Sequence, residues 1–305
     1  MRRLLIIATV LAAVGLAAAC GGGDGTPSPA DDADAGATLT LSDAGITPIP
    51  GNSELLIGPN RFALALIDEE NSPILEEPGL NVLLRFFFDD ELQFDQVADF
   101  TWAIQDANGF FVVNVDFDQA GQWEVEPILT RDGEETTVRR FSFPVREESQ
   151  IPNIGDSPPP SMNLTLADVP DISRISTDEE PEPALYQMTV AQALTAGRPA
   201  VVVFATPAFC QTRFCGPVVD NVKVVWEEFG DRVNFIHIEP FELDEEGLLV
   251  LDENSLPVPV TSTVEWQLLT EPWIFIVDAD GLIAARFENV IGPSELRAAI
   301  EETLG

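Results

Sequence analysis

Between residues 38 and 148 apolar and polar positions alternate in short runs separated by turn residues, the period of half-buried strands. The run Arg61 to Leu66 places Phe62, Leu64 and Leu66 on one face. Asn81 to Phe88 (NVLLRFFF) is apolar on both faces and predicts a more fully buried strand. Phe100 to Gln105 leads into Asp106-Ala107-Asn108-Gly109, where Asn-Gly predicts the turn. Phe111, Val113, Val115 and Phe117 then alternate, Trp123 and Val125 point inward after Gly121, and Asp132-Gly133 marks a hairpin before Thr136 to Val145. About seven strands over this length predict an all-β sandwich.

From Tyr186 the period changes. Thr189 to Ala196 reads as a helix with Thr189 as N-cap and Gly197 as its stop. Pro199 to Phe204 (PAVVVF) is a buried strand, followed by a loop with two cysteines and a helix through Val218 to Phe229, on which Trp226 and Phe229 take core spacing. Val233 to Ile238 is a second strand, and Glu239 to Ser262 a long acidic insertion without regular period. Trp273 to Asp278, Ala279-Asp280-Gly281 and Leu282 to Glu288 read as strand, turn and strand, and Pro293 to Leu304 as a closing helix. Alternation of helix and strand predicts an α/β layer architecture for this half. Residues 149–184 carry Pro158-Pro159-Pro160 and Glu179-Glu180-Pro181-Glu182-Pro183, the composition of an extended, semi-rigid linker. Leu164 to Ile175 has enough apolar residues to lie against a neighbour.

Composition narrows the chemistry. With 15 basic and 52 acidic residues in 305 the formal charge is −37, which excludes a nucleic-acid binder because phosphates would be repelled. A single His and three Cys exclude His-rich metal sites and multi-disulfide frameworks. The β-half has neither Cys nor His, so the candidate chemistry lies at sulfur in the C-terminal half. No cofactor is expected.

The N-terminus reads as an address. Arg2 and Arg3 precede an apolar run from Leu4 to Ala19, too short for a comfortable span, which needs about 20 residues. Cys20 follows Ala17-Ala18-Ala19, and this segment resembles a bacterial lipobox, with Ala17 where Leu is usual. The resemblance implies a signal peptide over 1–19, a lipidated Cys20 and a flexible stalk over 20–37. The protein would then be anchored on the outer face of the bacterial cytoplasmic membrane, where disulfides persist.

Two further resemblances set the expected fold. The segment GFFVVNVDFDQAGQWEVEP resembles closing strands of extracytoplasmic immunoglobulin-like domains, implying an immunoglobulin-like sandwich over 38–148. VVVFATPAFCQTRFCGPVVD resembles the first strand, active-site loop and helix of thioredoxin-fold proteins, and TEPWIFIVDADGLIAARF resembles the later hairpin of membrane-anchored thioredoxins of the TlpA type. That implies a thioredoxin-like domain over 185–305, with Pro272 as the cis-proline facing the redox cysteines. The pair itself departs from the family, since Cys210 and Cys215 are separated by four residues rather than two. In one register Cys215-Gly216-Pro217 overlays the family motif and places Cys215 at the helix start. In the other Phe209-Cys210 overlays it, Pro217-Val218-Val219-Asp220 matches beyond it, and Cys215 lies inside the helix, whose first turn must unwind for a disulfide to form.

The expected activity is thiol–disulfide exchange. Cys210, Cys215 and Pro272 would be catalytic, with Phe209, Trp273 and Thr206 at the substrate and protein or small thiols as partners. The alternatives are a redox-inactive binding module with a structural disulfide, and a thiol peroxidase. The span Thr206-Pro207 to Gly216 is similar to the paired-cysteine loop of Q-type peroxiredoxins, but Pro207 and Val203 depart from that pattern. Copper chaperones of the Sco type pair cysteines at a different spacing and use a loop His, whereas His237 is mid-strand and reads as core. No metal site is therefore expected. Val201-Val202-Val203 also leaves no buried Asp before the loop, so proton transfer would fall to solvent or Thr206.

Overall fold

The computed structural model describes residues 44–305; the signal segment and Cys20 lie outside the described residues. Two sheets face each other in the N-terminal half. One is ordered β1-β2-β6-β5, from Thr47–Pro50, Gly58–Ile67, Asn108–Phe117 and Asp99–Ile104. The other is ordered β4-β3-β7-β8, from Glu91–Val97, Leu80–Phe88, Gly121–Arg131 and Glu134–Thr137, with β9 (Phe141–Val145) also on β7. Their inner faces interdigitate through Phe62, Leu64, Phe86, Phe117, Trp123 and Phe143, alternate residues of the strands as the period requires.

A third sheet is ordered β11-β10-β12-β13, from Asn234–Ile238, Ala200–Phe204, Trp273–Val277 and Ile283–Glu288. Only β10 and β11 run parallel. Both faces are covered, which explains why β10 and β12 are unbroken apolar runs. Helices α2 (Cys215–Phe229) and α4 (Pro293–Leu304) pack on the face with Val201, Val203, Ile274 and Ile276. The short helix α1 (Val190–Leu194) and Trp266, next to α3 (Thr261–Glu265), cover the other. Thr189 closes α1 with a full capping box to Gln192.

The expected pairing of an all-β immunoglobulin-like sandwich with an α/β thioredoxin-like fold does not describe this architecture. The protein is dominated by sheet: strands take 37% and helices 17%, with three sheets and four α-helices among the described residues. Two of those helices, α1 and α3, are five residues long. A thioredoxin-like α/β fold is not what these proportions show. The helical signal around Thr189 yields little more than one turn, and the acidic insertion adds turns and bridges in place of helix.

That insertion is built on one repeated device. Asp244 accepts hydrogen bonds from the amides of Glu246 and Leu248, and Asp252 from those of Asn254 and Leu256. A left-handed residue completes each turn, Gly247 at φ 76° and Ser255 at φ 64°. Asp68 and Asp278 form the same turn with Asn71 and Gly281. Side-chain capping of the amides makes an acidic stretch ordered.

The turn expected at Asn108-Gly109 falls two residues earlier, at Asp106 (φ 59°), and Asn108 already belongs to β6. Gly109 is needed within the strand, where a Cβ would stand 2.4 Å from the Phe100 ring. The Asp132-Gly133 hairpin forms where expected, with both residues left-handed.

The described residues belong to one compact unit. Arg286 on β13 pairs with Glu54, ahead of β2, at 2.9 Å, and both side chains are nearly inaccessible, at 11% and 6% exposure. Ser149 and Gln150 donate to the same carboxylate. The Arg61 guanidinium meets Glu295, in the first turn of α4, through two hydrogen bonds. Within 149–184, Leu166, Val169 and Ile172 pack against the core under α2, and Ser161 is fully buried, donating to Glu265. Removing one partner of a buried ion pair strands the other charge, so Glu54→Ala is expected to lower unfolding free energy by about 3–5 kcal/mol in urea titration. The double variant Glu54→Ala/Arg286→Met should recover most of that loss; a Glu54→Ala loss below about 1 kcal/mol would show that the pair is not a tie between the sheets.

Candidate active site

Strand β10 delivers the chain to a loop that is buried at both ends and partly exposed in between. The Thr206 carbonyl accepts from the amides of Phe209 and Cys210, which turns the backbone after Pro207. Arg213 adopts φ 64°, reversing direction again, and α2 begins at Cys215. The helix therefore starts at the second cysteine, not at Cys210 as the Pro-Val-Val-Asp register would have it. Pro217 then falls in the first turn, where a missing amide hydrogen costs nothing. No helix need unwind, because Cys210 lies in the loop before α2.

Both cysteines are free thiols, Cys215 fully buried and Cys210 at 9% exposure. Their sulfurs and a carboxylate oxygen of Glu271 all lie within 4.8 Å of one another. A disulfide needs about 2.05 Å between sulfurs, so closure demands a shift of less than about 3 Å. Glu271 precedes Pro272, and the bond between them is cis. No side-chain acceptor caps the start of α2, so its first amides are free to donate to other groups.

The two sulfurs meet opposite environments. Cys210 is lowered to about 5, chiefly because the Cys215 thiol donates to it. The Thr212 hydroxyl, at 3.1 Å, and the amides of Cys215 and Phe214 add to that, while partial burial opposes it. The positive end of α2 thus acts on a sulfur outside the helix. Cys215 is pushed far up, by burial first, then by the hydrogen bond it donates to Cys210 and by the charge there. The pair is one thiolate and one thiol sharing a proton.

Two carboxyls stand nearby. Glu271 is pushed up to about 7 by burial and by the charge on Cys210. Glu239, at the end of β11, is buried and pushed up to about 7 by burial; Thr177 amide and hydroxyl donors, and the approach of the Thr206 hydroxyl, offset this in part. Glu239 Oε1 and Thr206 Oγ1 complete no hydrogen bond among the described residues.

The expected site residues divide. Cys210 and Cys215 converge, and Pro272 is tied to Glu271 by its peptide bond. Phe209 is half-buried beside them. Thr206 is fully buried and orders the loop from beneath, out of reach of a substrate. Trp273 is buried on the opposite face of the third sheet, stacked on Phe275, and forms no rim. His237 is buried, its Nε2 donating to the Ala205 carbonyl and its Nδ1 facing the Tyr186 hydroxyl at 2.6 Å; burial lowers it to about 4. Both ring nitrogens are engaged, so it is no ligand. Glu271 and Glu239 were hidden among 52 acidic residues; their place beside an apolar strand end was the only signal. Among the described residues, Cys210, Cys215 and Glu271 are also side chains grouped closely enough to hold a metal ion.

No family model matches the chain, and no curated protein does. Among solved structures, the crystal structure of the PmoD soluble domain from Methylocystis sp. ATCC 49242 (Rockwell) is similar over 35% of this chain and 95% of that one. The identity is 16% and the TM-score 0.21, a likeness that carries no argument about fold or chemistry.

Alkylation of reduced protein by iodoacetamide, followed at the Cys210 peptide, should show a midpoint near pH 5. In Cys215→Ala the leading hydrogen bond is gone, and the midpoint should move up towards the ordinary thiol range; an unmoved midpoint would show that Cys215 does not hold the thiolate. Glu239 gives a second pH signature. Between pH 4.5 and about 7 the unfolded chain loses this proton while the folded chain keeps it, so the group's contribution to stability falls as pH rises. Unfolding free energy of wild type relative to Glu239→Gln should drop by about 3 kcal/mol across that window. A pH-independent difference would exclude a buried, protonated Glu239.

Proposed function

We propose that this chain is a thiol–disulfide oxidoreductase working through Cys210 and Cys215. The observation that carries the reading is the asymmetric pair: two free thiols within 4.8 Å, one held as thiolate beside the first amides of α2, the other buried as a thiol. Cys210 thiolate attacks a client disulfide, one client sulfur leaves as a thiolate and takes a proton, and a mixed disulfide forms. Cys215 gives up its proton and attacks Cys210, the mixed disulfide breaks, and the second client sulfur leaves. Two electrons pass to the client, and an external dithiol must return them. Run backwards, the same steps oxidise a client.

A cleft of about 330 Å³ opens beside this loop, lined by Pro207, Ala208, Gly216 and Pro217 next to the two cysteines. Asp178, Glu179, Glu180 and Asp220 form its acidic wall, with Lys223 paired to Asp178 and Asp220. Such a wall favours clients with neutral or cationic residues beside the disulfide. The lipid-anchored, extracytoplasmic placement implied by Cys20 belongs to the same proposal and supplies a compartment with disulfide clients. Among the described residues no helix is long and apolar enough to cross a membrane.

The purified chain should reduce a model protein disulfide such as insulin when given dithiothreitol. Cys210→Ser should abolish turnover, and Cys215→Ser should accumulate mixed disulfides at Cys210. A pair that stays oxidised in millimolar dithiothreitol, or a Cys210→Ser variant with unchanged turnover, would remove the reading.

A further inference from the structure

We infer that the reduced chain binds one zinc ion through Cys210, Cys215 and Glu271. The inference uses the reduced form of the pair but does not require that the pair cycles.

The donor set comes first. Two sulfurs and one carboxylate oxygen converge within 4.8 Å, from a loop, a helix start and a residue two positions ahead of β12. Zinc binds cysteine sulfur at about 2.3 Å and carboxylate oxygen at about 2.0–2.2 Å, so tetrahedral ligands stand about 3.5–3.8 Å apart. The three atoms, all within 4.8 Å of one another, need draw in by no more than about 1.3 Å to reach that spacing. A soft pair with a hard third donor suits a borderline ion; copper(I) is satisfied by thiolates and gains little from the carboxylate.

Electrostatics gives the second reason. Glu271 points a half-buried carboxylate at a thiol pair, yet none of the ion pairs among the described residues involves it. Arg213, between the cysteines in sequence, is exposed and forms none of those pairs either. A divalent cation would neutralise what the fold leaves unbalanced. As zinc binds, the remaining thiol proton passes to solvent, and both sulfurs are held as thiolates.

Three protein ligands leave the fourth position open, and the half-buried side of the site lies at Glu271. An open position suits an ion that exchanges with a client or a small donor rather than a closed structural centre. Zinc held here also withholds both sulfurs from disulfide formation.

The test is a competition titration of reduced, full-length protein with zinc against a chromophoric chelator. One zinc per chain is expected, with disulfide-oxidised protein as the control for loose binding by surface acids. Cys210→Ser and Cys215→Ser should each abolish tight binding, and Cys20→Ser should leave it intact. Glu271→Gln should weaken it by at least about tenfold, the lower limit set by what losing even an outer-shell partner costs. Glu271→His, which supplies another zinc donor, should restore it and guards against a misfolded variant. Binding no tighter than in the oxidised control, or unchanged in Glu271→Gln, overturns the inference. So does copper(I) held equally by wild type and Glu271→Gln with zinc not held. Disulfide cycling is measured on the same protein without metal: a chain that cycles but ignores zinc overturns only this inference, and one that binds zinc but never cycles overturns only the oxidoreductase reading.

Discussion

Phe214 is the residue on which the geometry of the sulfurs depends. It sits directly before Cys215, and its ring is buried on the outer face of the first sheet, edge-on to Phe110 at 5.5 Å between centroids. Ala63 and Ala65 on β2 and Val112 on β6 complete the seat, with Val290 from the other side. The two alanines keep the strand surface low enough for a ring to lie on it. Burying one phenylalanine is worth about 1.5–3 kcal/mol, and the aromatic contact adds about 0.5–1.5. That is enough to fix where α2 begins. Once α2 begins at Cys215, its uncapped amides face Cys210, and the two thiols stand within bonding reach.

The chemistry follows from an unequal division of donors rather than from any single strong group. Cys210 receives a thiol, a hydroxyl and two amides as donors, while Cys215 is buried, keeps its proton and donates a hydrogen bond to its partner. The carboxyls add to the imbalance. Glu271 and Glu239 both stand near the pair in low-dielectric surroundings, where like charges repel strongly. Each acid then discourages ionisation of the next, so the site holds protons that an open surface would release. A site of this kind suits reactions that hand a proton between sulfur and solvent, and it leaves room for a cation.

Much of this was legible residue by residue and little of it as a whole. The helix from Pro293 to Leu304, the hairpin around Asp278, the Thr189 cap and the inward row of Phe62, Leu64 and Leu66 follow from local pattern, and local pattern decides them. The proportions of the fold did not follow, because resemblance in two short strings says nothing of how much helix the stretches between them form. The aspartate turns show a different limit: Asp244 to Leu248 and Asp252 to Leu256 repeat one motif, but acidic composition masks it. The signal for the Phe214 seat was present in Gly109 to Val113, where both faces of the strand are apolar. A strand with one wet face would alternate there; Phe110 and Val112 required a cover, and the cysteine loop supplies it. Glu271 and Glu239 had no such signal, since a carboxylate is marked by its surroundings, and those are set by chain segments distant in sequence.

These contacts give the N-terminal sheets a part in the sulfur site. A spacer would touch the thiol-bearing half through its connecting segment alone. Here the two halves are tied at several points: Phe214 on β6, Arg61 to Glu295, Arg286 to Glu54, Asn289 to the Gly51 carbonyl, and Ser53 to the buried Glu288. Of the loop, Ala208 and the stretch Gln211, Thr212 and Arg213 are exposed. Movement needed to join the sulfurs is therefore confined to those residues and to the cysteine side chains, while both ends of the loop stay anchored. A difference of less than about 3 Å in sulfur position can be absorbed there without disturbing either core. The sheets thus act as a buttress: they hold the thiols close enough to react, and they keep the cost of joining or separating them local.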